Sequence, residues 1–120
     1  MNKFIYLSTC QTCTRILKDL QLPENFVMQD IKKEALSPEE IDALKAQAGS
    51  YEALFNRRSQ LYRKENWHTK TLSEADYKML LNKHYSFIKR PIVLIQDEAY
   101  IGNSKKIIAA AQQKLNSLRR

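Results

Sequence analysis

Apolar and polar positions along the chain change their period several times, and each change marks an element. Lys3 to Leu7 is a short apolar run, partly β-branched and aromatic, closed by Ser8-Thr9; it predicts a buried strand. Ile16, Leu17 and Leu20 then fall on one face of a helix that must stop before Pro23. Phe26-Val27-Met28 predicts a second short strand, with Gln29-Asp30 leading away from it. Ser37-Pro38-Glu39-Glu40 is a strong helix start: Ser37 can cap, Pro38 suits the first helical position and Glu40 can close a capping box. Ile41, Leu44 and Ala48 form the inward stripe of that helix, and Gly49 supplies its stop. Ser50 to Phe55 reads as a further helical turn, while Arg57 to Trp67 is basic and aromatic without a clean period and receives no assignment. Ser73 and Asp76 open another helix, with Tyr77, Leu80, Leu81 and His84 at i, i+3, i+4 and i+7.

The period changes to a strand pattern at Pro91. Pro91 to Ile95 is one strand, Gln96-Asp97-Glu98 a turn, and Ala99-Tyr100-Ile101 a second strand ending at Gly102, together a β-hairpin. Ser104 caps a last helix with Ile107, Ile108, Ala111, Leu115 and Leu118 inward. The order is therefore β-α-β, a helical middle, then β-β-α. No repeat or flexible linker interrupts it, so the pattern predicts one domain over 1–120 with a helical insertion at about 37–88.

Composition narrows the functional classes. A chain of 120 residues, 43% hydrophobic and 28% charged, suits one domain with its own core. No apolar run approaches the roughly 20 residues of a membrane helix, and the one at the N-terminus is about half the apolar length a signal peptide requires. A cytoplasmic location is expected, where disulfides are rare unless catalytic or sensing. The net charge of +7 allows attraction to oxyanions or to an acidic protein surface. The basic residues are scattered rather than clustered, which does not argue for direct nucleic-acid binding. Arg57, Arg58, Arg63 and Lys64 read as a solvated face, and Tyr62 and Trp67 as core or rim of the helical part.

The candidate chemistry lies in Leu7 to Arg15, LSTCQTCTR, which holds both cysteines of the chain. A redox pair, half of a metal site and two inert buried thiols all compete for it. A structural zinc site needs four ligands, usually as two pairs, and His68 and His84 make no second pair. A phosphatase loop needs five residues between cysteine and arginine, and Arg15 lies one short. A redox pair fits the context best. The thiolate is the nucleophile, and Cys10, just before a helix, meets unpaired N–H groups and the positive end of the macrodipole. Cys13, three residues further on, can resolve a mixed disulfide. Thr9, Gln11 and Thr12 can add hydrogen bonds.

Strand–Cys10-x-x-Cys13–helix, a helical middle and a proline opening a hairpin resemble a thioredoxin-like fold. That resemblance implies an α/β architecture with a mixed four-stranded sheet, a helical insertion between strands 2 and 3, and a cis bond at Pro91 facing the cysteines. The closer likeness is to the ArsC/Spx/YffB arsenate reductase-like family. Tyr6 to Arg15 resembles its active-site loop, Leu54-Phe55-Asn56-Arg57-Arg58-Ser59 its "LLNKRS" segment, and Lys89-Arg90-Pro91-Ile92-Val93 its "RPIV" signature. The resemblance places the nucleophile on Cys10 and the arginine before the proline on Arg90. Asn56 stands in the place of the middle-segment arginine, Gly102 in that of the late one, and Thr14 where these enzymes commonly have arginine.

The resemblance implies a thiol–disulfide oxidoreductase with catalytic Cys10, Cys13 and Arg90 and substrate contacts from Thr9, Thr12, Arg58 and Pro91. Its reductant would be glutathione or a thioredoxin-like protein, and the dithiol would need no metal or organic cofactor. Two alternatives stay open. One is an Spx-like redox regulator of the RNA polymerase α subunit, whose basic positions match Arg58 and Arg90 and whose contact glycine falls at Ser50, one residue from Gly49. The other is arsenate reduction itself.

Overall fold

The computed structural model describes residues 2–119. They divide into two compact units, one made of the N-terminal segment through Glu34 together with Arg90 onward, the other of Ala35–Lys89.

The first unit is built on a four-stranded sheet of order β2-β1-β3-β4. Its strands are β1 (Lys3–Tyr6), β2 (Val27–Asp30), β3 (Ile92–Ile95) and β4 (Glu98–Ile101). β1 runs parallel to β2 and antiparallel to β3, and β3 pairs antiparallel with β4, so the sheet is mixed. The helix α1 (Gln11–Leu20) makes the crossover from β1 to β2, and α5 (Lys105–Leu118) follows β4. One core joins them: Phe4, Val93 and Ile95 from the sheet pack with Ile16 and Leu20 of α1, Phe26, and Ala111 and Leu115 of α5.

Three local readings need correction. Gln29 and Asp30 do not lead away from the strand but belong to it, because Ile5 and Tyr6 pair with them and extend the ladder. Glu98 opens β4 rather than closing the turn; Gln96, at φ 58°, takes the left-handed conformation that lets a two-residue loop connect the strands. Leu118 is 41% exposed rather than inward, and Ile107 and Ile108 are half-buried.

The second unit is helical, with α2 (Pro38–Ala48), α3 (Gln60–Lys64) and α4 (Glu74–Lys83), a 3-10 turn lying between each successive pair and another, Tyr85–Phe87, after α4. Both helix starts behave as their chemistry requires: Ser37 with Glu40, and Ser73 with Asp76, form reciprocal capping boxes. Gly49 closes α2 at φ 96°, a left-handed conformation that a β-carbon disfavours. The centre of this unit is aromatic. Phe55 is fully buried, with Tyr77, Tyr62 and Phe87 ring centroids 5.0, 5.3 and 5.5 Å away. His84 does not continue the buried stripe of α4. It ends the helix and accepts the Ser86 N–H at Nδ1 (3.0 Å), because a ring nitrogen can satisfy the next turn.

Candidate active site

β1 delivers the chain to the junction that holds both sulfurs. After Tyr6 the backbone folds back on itself, with the Cys10 N–H donating to the Leu7 carbonyl at 2.9 Å. Cys10 is the N-cap of α1, with extended φ −91° and ψ 112°, so the first N–H groups of the helix face its end of the chain. The loop is tied from the neighbouring strand. Asp30, at the end of β2, accepts the N–H groups of Ser8 and Lys32 on Oδ1, each at 3.2 Å. The Ser8 hydroxyl, the Ser8 and Lys32 N–H groups and the Lys33 charge favour its anion over the opposing effect of burial and hold its carboxyl below the ordinary value. This clamp was not visible in the sequence, since 22 residues separate its ends.

The two sulfurs differ sharply. Burial pushes the Cys10 thiol up, but the Cys13 N–H, the Cys13 thiol, the Arg90 guanidinium and the Thr12 N–H outweigh it and hold Cys10 below its ordinary value. Cys13 lies fully inside, and burial pushes it up to about 12; a Leu7 backbone contact and Arg90 oppose this, while Cys10 adds to it. Of the two sulfurs, the outer is therefore favoured to lose its proton first and the inner to keep it. Both thiols are free, not joined in a disulfide.

Arg90 reaches this site from the second half of the chain. The Arg90–Pro91 bond is cis, Pro91 is buried, and its carbonyl accepts the Gly102 N–H at 2.9 Å, which fixes the start of β3 against the end of β4. The structure thus groups Cys10, Cys13 and Arg90 electrostatically and places the Thr12 N–H beside the outer sulfur. Thr9 is exposed in the loop before Cys10. Arg58 belongs to the other unit, where it is exposed and its backbone N–H donates to Asn56 Oδ1 at 3.1 Å. Among the described residues no three His, Cys, Asp or Glu side chains converge as metal ligands would. No helix among them is long and apolar enough to cross a membrane.

A mixed sheet with a strand–Cys-x-x-Cys–helix junction beside a cis-proline defines a thioredoxin-like α/β protein. Residues 6–111 match the model of the ArsC family, and the chain belongs to that family. Solved structures agree on the fold. A YffB protein superposes with a TM-score of 0.76 at 22% identity, covering 93% of this chain and 99% of its own. An ArsC family related protein from Bacteroides fragilis gives 0.76 at 23%, covering 95% and 97%. An arsenate reductase from Vibrio cholerae gives 0.66 at 22%, with 97% of each chain covered. No curated protein matches the chain.

Proposed function

We propose that the protein is a thiol–disulfide oxidoreductase working through a Cys10–Cys13 cycle. The observation that supports this reading is the opposite tuning of two adjacent sulfurs, the outer held toward thiolate and the inner kept protonated. The Cys10 thiolate attacks one sulfur of a substrate disulfide, forming a mixed disulfide and expelling the other half as a thiolate. Cys10 then no longer carries the charge that helps hold the proton on Cys13. Cys13 gives up that proton and attacks Cys10, which closes the Cys10–Cys13 disulfide and releases the second thiol. Two electrons have passed from the dithiol to the substrate.

Arg90 stabilises the attacking anion through the charge of its guanidinium. Thr12 contributes its backbone N–H, and Pro91 shapes the wall beside Arg90. Family membership points to a thiol-based reductant that returns the pair to the dithiol, and we assign glutathione or a thioredoxin-like protein to that step, in a reducing cytoplasm. Thr9 and Arg58 remain candidate substrate contacts.

The test is reduction of a model disulfide by wild type, Cys10→Ser and Cys13→Ser, with mass spectrometry of the products. Wild type should turn over, Cys13→Ser should accumulate the mixed disulfide on Cys10, and Cys10→Ser should be inert. Turnover that survives Cys10→Ser contradicts the scheme. Redox-dependent capture of the RNA polymerase α C-terminal domain, with no disulfide turnover, would instead support a regulator.

A further inference from the structure

Asp30 takes no part in the exchange chemistry above, yet its carboxylate holds the segment that carries the nucleophile. It is 9% exposed at the end of the edge strand β2, a depth at which a carboxylate is rarely found unless its oxygens are used. Its own placement is fixed. Oδ1 accepts the Lys32 N–H two residues on, an Asx turn, and the Asp30 carbonyl accepts the Lys33 and Glu34 N–H groups at 3.0 and 2.8 Å. The ladder holds it as well: Asp30 pairs with Tyr6, and the Ile31 N–H donates to the Tyr6 carbonyl at 2.9 Å. From this post the same Oδ1 reaches across to the Ser8 N–H at 3.2 Å. Ser8 and Thr9 are both exposed, so burial does little to hold them. Past them the chain is secured again, because the Cys10 carbonyl accepts the Thr14 N–H and hydroxyl, each at 3.2 Å. Asp30 thus pins one end of a short loop whose other end is the helix cap.

We propose that Asp30 is a positioning residue for the exchange reaction: through Ser8 it keeps Cys10 seated at the cap of α1, where the Thr12 and Cys13 N–H groups meet its sulfur. The proposal deepens the exchange reading and rests on it. Those N–H groups favour the Cys10 anion only while Sγ stays at the cap, since a hydrogen bond weakens steeply with distance and angle. A loop released at Ser8 lets Cys10 swing away from them, and the outer sulfur then behaves more like an ordinary thiol. Position and charge can be separated at this residue. Oδ2 is buried and meets no donor at hydrogen-bond distance, so an asparagine can keep both N–H bonds on its amide oxygen while losing the charge.

The experiment follows alkylation of Cys10 by iodoacetamide against pH in wild type, Asp30→Ala and Asp30→Asn, read by peptide mapping, with near-UV circular dichroism showing that each protein is folded. Asp30→Ala should slow Cys10 by about fivefold at neutral pH, move its inflection upward and leave the plateau rate at high pH unchanged. Asp30→Asn should keep the wild-type inflection. A clamp that served stability alone would lower the melting temperature of both variants and move neither profile. Where Asp30→Ala does not fold, Asp30→Glu takes its place: it keeps the charge, displaces the acceptor by one methylene and should also raise the inflection. An unmoved inflection in the folded Ala or Glu variant overturns the positioning role and leaves the exchange reading standing. A lower inflection in Asp30→Asn shows that the charge of Asp30 acts rather than its placement of the loop, and overturns it too. An ordinary inflection for Cys10 in wild type overturns the exchange reading itself, and the role of Asp30 with it.

Discussion

Cys10 and Cys13 are separated by less than one helical turn yet sit in opposite environments. What decides this is how each sulfur is surrounded: Cys10 is half-buried at the helix cap, Cys13 fully enclosed one turn in. The cysteine spacing and the helix start were legible in the sequence. The charge that reaches Cys10 from Arg90 was legible only through the family resemblance, because 80 residues of chain lie between them. Replacing Arg90 with glutamine removes one of the influences that favour the Cys10 anion; its alkylation near neutral pH should slow by about fivefold, measured with iodoacetamide. Cys13 gives a stability prediction of opposite sign. Its folded value, about 12, lies above the ordinary 9.0, so it binds its proton more tightly in the folded state. That contribution is complete below pH 9.0 and is lost as the pH rises toward about 12. Wild type should therefore lose stability more steeply than Cys13→Ala over this window, read by denaturant unfolding at a series of pH values.

At the scale of elements, capping chemistry was the most readable signal. Ser37 and Ser73 start helices where Ser-x-x-Glu and Ser-x-x-Asp require, because the two partners lie within one turn of each other. Arg57 to Trp67 resisted reading for a physical reason. Its helix α3 is only five residues long and buries no residue fully, and the segment is anchored by Tyr62 against Phe55 rather than by a periodic stripe. Trp67 likewise lies beneath the Lys70 and Lys83 ammonium groups, 4.5 and 5.9 Å from its ring centroid. The β1–α1 loop is legible in the sequence, but its clamp is not, because Ser8 and Asp30 lie on different segments. Asp30→Asn removes the anionic acceptor of the Ser8 and Lys32 N–H groups and should lower the melting temperature at neutral pH. Because the Asp30 carboxyl is held below its ordinary 3.8, its contribution is full above that pH and fades as the pH falls through the folded value. The difference between wild type and variant should close in the same acid range, which thermal melts across pH will show.

For the whole molecule, the order of elements was legible from the change of period at Pro91 and from the cysteine junction, and the mixed sheet only through the family resemblance. The aromatic centre of Ala35–Lys89 was not, since Phe55, Tyr77 and Phe87 come from three separate segments with no shared spacing. Truncating Phe55 to alanine empties a fully buried site and should cost about 3–5 kcal/mol in denaturant unfolding. The net charge of +7 gives the molecule a general attraction for anions, screened by salt. The proposed exchange depends on an outer sulfur that loses its proton more readily than the inner one. The decisive measurement is the rate of alkylation of each cysteine against pH, resolved by peptide mapping. Cys10 should react with an inflection below 9.0 while Cys13 stays unreactive until far higher pH. Equal labelling of both thiols, with a shared inflection at the ordinary value, would contradict the account.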